Sequence, residues 1–250
     1  MTAQSASLHG VHQIPDMGFS NAYLVEIDQQ GLVLIDTGTP GKEKKVLAYL
    51  TGIGRKPSDV SYIILTHPDA DHSGSAARLK SLTGAKLAIG ELDAPRLSGE
   101  MKLKEASGFG GVMVGLFGSF MKVERVKPDM ELKDGETVGP LAIIDTPGHT
   151  DGSISVYKPG DAIFVGDLLR TDGSGNLKLA SPNMSRDMAA VKRSVEKISK
   201  LEFSILLPGH GKPINEDASK KLKEFVANGF RMNVRGSVTP RPAARGSAGA

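Results

Sequence analysis

Two histidines and two aspartates stand within Thr66-His67-Pro68-Asp69-Ala70-Asp71-His72, directly after the apolar run Tyr62-Ile63-Ile64-Leu65. Neutral imidazole and carboxylate are the ligands that borderline and hard divalent cations prefer, and a loop leaving a buried strand can aim several of them at one point. The stretch reads as a metal site. A competing reading is a polar turn that opens a helix, with His72 or Ser73 near the N-cap and the acids favoured by the helix dipole.

Three distant fragments repeat the scheme. Thr146-Pro147-Gly148-His149-Thr150-Asp151-Gly152-Ser153 sets a histidine in a turn after the strand-like Ala142-Ile143-Ile144-Asp145. Val165-Gly166-Asp167 ends another apolar run with an acid, and Pro208-Gly209-His210-Gly211 follows Ile205-Leu206-Leu207. Each time a hydrophobic strand delivers one His or Asp to a tight turn, where glycine lets the backbone approach closely or take positive φ. Such repetition favours the metal reading. The chain has no cysteine, so a metal must be held by nitrogen and oxygen alone.

The elements that would carry these turns follow from periodicity. Val11 to Ile14, Asn21 to Ile27 and Leu32 to Ile35 read as strands, with Asp28 to Gly31 as a hairpin turn. Pro40 to Gly52 and Gly74 to Leu82 carry apolar residues at helical spacing, and Lys86 to Ile89 is a strand. Met130 to Leu132 and Leu141 to Asp145 begin a second set of strands, and Ser153 to Tyr157 with Ala162 to Val165 form a hairpin. Asp187 to Lys200 and Asp217 to Asn228 read as amphipathic helices. Strands leading into helices in both halves predict a mixed sheet with helices outside. His9 and His12 have no ligand spacing and read as ordinary histidines.

Glu91 to Lys127 is the least regular part. Its centre, Gly108 to Met121, is apolar, uncharged and glycine-rich. It admits three readings: a buried helix or loop, a mobile lid over the site, or an interfacial membrane contact. It is too short to cross a bilayer.

With 39% hydrophobic residues, 250 residues can bury a sizeable core. Because the ligand-type residues are scattered from 67 to 210, one domain over 11–228 is expected, after a loose leader at 1–10. The formal charge of +3 is carried by the tail at 229–250, where Arg231, Arg235, Arg241 and Arg245 meet no acid. A basic tail composed this way is expected to be largely disordered, and it argues against a nucleic-acid-binding body. No apolar run approaches a membrane span, and the leader lacks the apolar segment of a signal peptide. A cytoplasmic protein is expected.

Taken together, THPDADH, TPGHTDGS, the Gly166-Asp167 pair and PGHG resemble the metallo-β-lactamase-fold hydrolases. Asp36, in Leu34-Ile35-Asp36-Thr37-Gly38, looks like that family's first structural aspartate. The resemblance implies an α/β fold, a four-layer αββα sandwich of two mixed sheets face to face with helices outside. It also implies two divalent ions, one held by His67, Asp69 and His149, the other by Asp71, His72 and His210, with Asp167 bridging. The family pattern has a third histidine where this chain has Asp69. A carboxylate there makes the site more neutral and moves its preference from zinc toward iron or manganese, though zinc remains the expected metal.

The implied activity is hydrolysis of an ester-like bond in a small molecule (a lactone, a thioester or a β-lactam) by a hydroxide bridging the metals. The catalytic residues would be Asp167, bridging the ions, and Asp71, steering a proton to the leaving group. TPGHTDGS is similar to the glyoxalase II wording. A non-haem di-iron oxidoreductase is the alternative, since flavo-diiron proteins carry an acid where Asp69 stands, although usually glutamate. A nuclease comes third. It rests on the basic tail and lacks the inserted domain of the family's large ribonucleases.

Overall fold

The computed structural model describes residues 10–27, 31–101 and 123–231. The leader before Gly10, the turn at 28–30, the Gly108 to Met121 segment and the tail beyond Arg231 lie outside the described residues.

Six strands form the first sheet in sequence order: β1 Val11–Ile14, β2 Ala22–Glu26, β3 Leu32–Ile35, β4 Val60–Leu65, β5 Lys86–Gly90 and β6 Met130–Leu132. The first three pair antiparallel, and β3 to β6 run parallel. The second sheet is built from β7 Thr137–Val138, β8 Leu141–Asp145, β9 Ile154–Lys158, β10 Ala162–Gly166 and β13 Ile205–Pro208, in the order β13-β10-β9-β8-β7. A hairpin of β11 Leu169–Thr171 and β12 Leu177–Leu179 stands apart.

Side-chain alternation, a period of two along a strand, sorts the core into layers. Val33 and Ile35 of β3, Ile64 of β4, and Ala162 and Phe164 of β10 share one cluster between the two sheets. Their neighbours Leu32, Leu34, Ile63 and Leu65 turn to the outer face of the first sheet, where helices α1 Glu43–Gly52, α3 Ala76–Thr83 and α4 Ala94–Ser98 cover them with Val46, Leu50, Leu79 and Leu97. Ile163 and Val165 turn the other way, under α5 Met188–Ile198 and α6 Ala218–Ala227 through Val191, Val195, Leu222 and Phe225. The result is helix, sheet, sheet, helix, as expected. Strands buried on both faces explain why they read as unbroken apolar runs.

Two helices lie outside the sequence reading. The helix expected over Gly74 to Leu82 is α3, and a separate single turn, α2 Ala70–Ser73, precedes it. Gly74 makes the break, because its N–H donates to Gly38 O at 3.0 Å and a side chain there would run into Pro40. α4 lies in the stretch read as irregular, where its five residues are too few to show a period. Among the described residues no helix is long and apolar enough to cross a membrane.

The sheet directions place the turns. β3 and β4 are parallel, so Asp36 and the His67 loop leave the first sheet at the same edge. β8 and β10 each run antiparallel to β9, and β13 runs parallel to β10, so His149, Asp167 and His210 also leave their sheet at one edge.

Candidate metal centre

At that edge the two sheets bring together His67, Asp69, Asp71 and His72 from the first half with His149, Asp167 and His210 from the second. His67, His149 and Asp167 offer ligand atoms within 4.8 Å of one another, as do Asp71, His72 and His210. Asp69 Oδ2 stands 3.1 Å from His149 Nε2 and 3.8 Å from His67 Nε2. Asp71 Oδ2 lies 3.4 Å from His210 Nε2 and 3.7 Å from His72 Nε2. Asp167 faces both groups, with Oδ1 3.2 Å from the Nε2 atoms of His72 and His210 and Oδ2 3.7 Å from His149 Nε2.

The polar-turn reading of residues 67 to 72 is answered by Asp69. Asp69 is the N-cap of α2, yet its carboxylate caps no helix N–H. It turns to His149 instead. Ser73 Oγ donates to Pro68 O at 2.8 Å and closes the loop on itself.

Each imidazole is held from outside by its Nδ1, so that Nε2 faces the centre. His210 Nδ1 donates to Phe19 O at 2.8 Å, and His72 Nδ1 donates to Asp36 Oδ2 at 2.8 Å. Asp36 also accepts from Thr66 N and from Thr66 Oγ1. Because the single hydroxyl proton of Thr66 goes to Asp36, Thr66 Oγ1 is left to accept from His67 Nδ1 at 3.0 Å. Asp36 thereby fixes the tautomer of His72 directly and of His67 through Thr66, leaving a lone pair on each Nε2. His149 Nδ1 has the longest of these contacts, 3.4 Å to Ser185 Oγ. Outer partners of this kind are what orient metal-binding imidazoles.

Burial and charge in the centre oppose each other. Burial, with the neighbouring His72 and His149, holds the His67 pKa well below its ordinary value. Burial alone would lower His72 too, but Asp167 and Asp36 raise it well above. Burial raises the Asp71 carboxyl. For Asp69, burial is outweighed by the bond from His149 and the charges of His67 and His149, and its pKa is lowered. Asp167 falls well below the ordinary value, because His72 and His210 outweigh its burial.

The residues fit a divalent metal pair. Among the described residues His67 Nε2 is a buried lone pair with no hydrogen-bond partner, a costly arrangement unless the atom serves as a ligand. Hard and borderline donors surround it, and Gly209 keeps the space open, since a Cβ there would come within 2.6 Å of Asp167 Oδ1 and His72 Cε1. Of the nearby hydroxyls, Thr66 holds His67, whereas Thr150 bonds Asp93 rather than a candidate ligand. His12 is a strand histidine as read, bonded to Tyr49 and Glu26 away from the centre. Sequence reasoning passed over Asp93, Arg96, Ser185 and the Phe19 carbonyl. None lies in a ligand-like motif, and a backbone acceptor leaves no trace in residue type.

Comparison with known proteins agrees with this geometry. A family model described as the metallo-beta-lactamase superfamily matches residues 15–210. The uncharacterized protein YobT of Bacillus subtilis is 32% identical over 217 residues, covering 82% of this chain and 88% of its own. A hydroxyacylglutathione hydrolase of Hyphomonas neptunium is 25% identical over 234 residues, covering 87% of this chain and 75% of its own. The solved structure of TTHA1623 in a di-iron-bound form superposes with a TM-score of 0.64 at 25% identity, covering 86% of this chain and 96% of that one.

Proposed function

The chain belongs to the metallo-β-lactamase superfamily of metal-dependent hydrolases, and from that premise we propose that it cleaves an ester-like acyl bond of a small molecule with two divalent ions held in the His/Asp centre. The observation that carries the proposal is the set of four imidazoles anchored outward at Nδ1, with Nε2 turned toward Asp69, Asp71 and Asp167. His67, Asp69 and His149 would hold one ion and Asp71, His72 and His210 the other, with Asp167 facing both groups. When bound, such ions supply Lewis acidity that polarises a carbonyl and brings the pKa of water toward neutrality.

The chain's own groups orient and move protons. Asp36 keeps the imidazoles of His67 and His72 in the tautomer a ligand needs. Asp71, beside His210 and His72 in the second group, is placed to steer a proton to the leaving group. The catalytic unit is assigned to residues 11–228. Among lactone, thioester and β-lactam, the thioester leads, supported by the likeness to a hydroxyacylglutathione hydrolase. Zinc is the metal this reaction favours.

A second reading, a di-iron oxidoreductase, is favoured by the Asp69 carboxylate in the centre and by the likeness to a protein solved with two irons. Metal analysis of protein purified without added metal, with a panel of thioester, lactone, ester and β-lactam substrates, separates the two. Close to two transition-metal ions per chain and hydrolysis abolished by chelation are expected. Fewer than one ion per chain, with hydrolysis surviving chelation, overturns the proposal. Two irons with redox turnover and no hydrolysis favours the second reading.

A further inference from the structure

Beside the centre lies a buried ion pair that the proposed chemistry does not use. Asp93 is fully buried and Arg96 is 5% exposed. Asp93 is the N-cap of α4 and its residue type suits that task, yet its side chain caps no N–H. One carboxylate oxygen takes Arg96 Nη1, and the other takes the hydroxyl of Thr150, the residue after His149. Thr150 N donates to Ser153 Oγ at 3.0 Å, and the two hydroxyls stand 2.6 Å apart, so the turn is closed upon Asp93.

The same guanidinium reaches over the turn. Arg96 Nη2 donates to Asp151 Oδ2 at 2.7 Å, and Arg186 Nη1 meets the same oxygen at 2.7 Å from the far side. Arg186 N donates to Gly148 O at 2.9 Å, and neighbouring Ser185 reaches His149 Nδ1. Residues 148, 150 and 151 are thus gripped on both sides of His149. Gly152 has no room for a Cβ, which would come within 2.8 Å of Asp93 Cγ.

His149 stands between the gripped residues 148 and 150, so the clamp sets the backbone from which its ring is aimed. We propose that the Asp93–Arg96 pair is a positioning device for His149, which sets the geometry of the first metal position from outside the ligand set. The inference rests on the metal-centre reading. It assigns Asp93 and Arg96 no contact with substrate or metal. Their effect passes through Thr150 and Asp151, and for that reason it belongs to one metal position and leaves the other alone.

Competitive chelator titration with zinc, resolving two equivalents in the parent, tests it. The variants are Asp93→Asn/Arg96→Gln, which leaves no buried charge uncompensated, and Asp151→Asn, which cuts the clamp but spares the buried pair. His149→Ala marks which equivalent belongs to the first position, and Leu97→Ala on α4 controls for lost packing. The double variant should weaken the equivalent marked by His149→Ala by about 10–100-fold and leave the other within about 3-fold. Asp151→Asn should weaken the same equivalent to a smaller degree. A parent that binds two equivalents, with the double variant unchanged or with both equivalents weakened alike as in Leu97→Ala, overturns the inference alone. A parent that binds no zinc overturns the metal-centre reading and the inference with it. If the double variant does not fold, Asp151→Asn decides by the same criterion.

Discussion

Asp36→Asn tests how the centre is set. The backbone does not stand in the way, because Asp36 has φ of 57°, a left-handed conformation that Asp and Asn both tolerate. The amide must put its NH2 where one carboxylate oxygen stood, facing either the Thr66 N–H or His72 Nδ1. A backbone N–H cannot be removed, whereas an imidazole can change tautomer. The amide oxygen therefore stays on Thr66 N, now 2.8 Å from Asp36 Oδ1, and His72 moves its proton to Nε2. That proton points into the centre.

To present its lone pair again, His72 must face the new NH2 with an N–H, and leaving such donors unpaired costs about 1–3 kcal/mol. At 1.4 kcal/mol per factor of ten this is a loss of about 5–150-fold in affinity for the ion that His72 holds. Loss of outer partners elsewhere costs about 10–100-fold, in the same range. Chelator competition on parent and variant reads the change directly, and circular dichroism checks that the variant is folded. A folded Asp36→Asn protein that binds both equivalents within about 2-fold of the parent would refute the reasoning, since 2-fold is only about 0.4 kcal/mol.

Asp69→His exchanges a carboxylate for a nitrogen ligand, so zinc should gain over manganese in paired affinity measurements, and an unchanged ratio would remove Asp69 from the ligand set. Gly148→Ala places a side chain at φ of 135° and 2.6 Å from Val191 Cγ2, which should cost about 1–3 kcal/mol in urea unfolding. For Asp129, burial pushes the pKa up, but the Lys80 ammonium and the Leu87 N–H, each at 2.8 Å, more than offset it and the folded value is lowered. Its stabilisation is complete above the unfolded pKa near 4 and is lost as pH falls through the lower folded value, so Asp129→Asn should flatten the acid limb of melting temperature against pH in metal-free protein.

Strands such as Leu32–Ile35 and Ala162–Gly166 were legible because burial on both faces demands an unbroken apolar run, and the αββα arrangement followed from the family likeness. The residues that meet at the candidate centre were legible because histidine and aspartate recur in turns directly after apolar strands. The break at Gly74 was not, since only the close approach of Pro40 requires it. Asp93 and Arg96 were invisible for a different reason. Their partners Thr150 and Asp151 are more than fifty residues away, and a pair of that kind has no local period. Asp36 could be read as structural, but its control of two tautomers depends on where the one proton of Thr66 goes.

The division of ligands between the sheets has a consequence for how the molecule holds together. The first half of the chain supplies His67, Asp69, Asp71 and His72, the second supplies His149, Asp167 and His210, and each proposed ion draws on both. Neither half alone contains a complete coordination sphere. The free energy of metal binding would therefore also be free energy of docking one sheet on the other, added to cross-sheet bonds such as Tyr23 OH to Pro208 O at 2.8 Å. The ions would act as late rivets: they gain nothing until the two halves have already met, and once seated they resist the separation of the halves in proportion to the free metal around them.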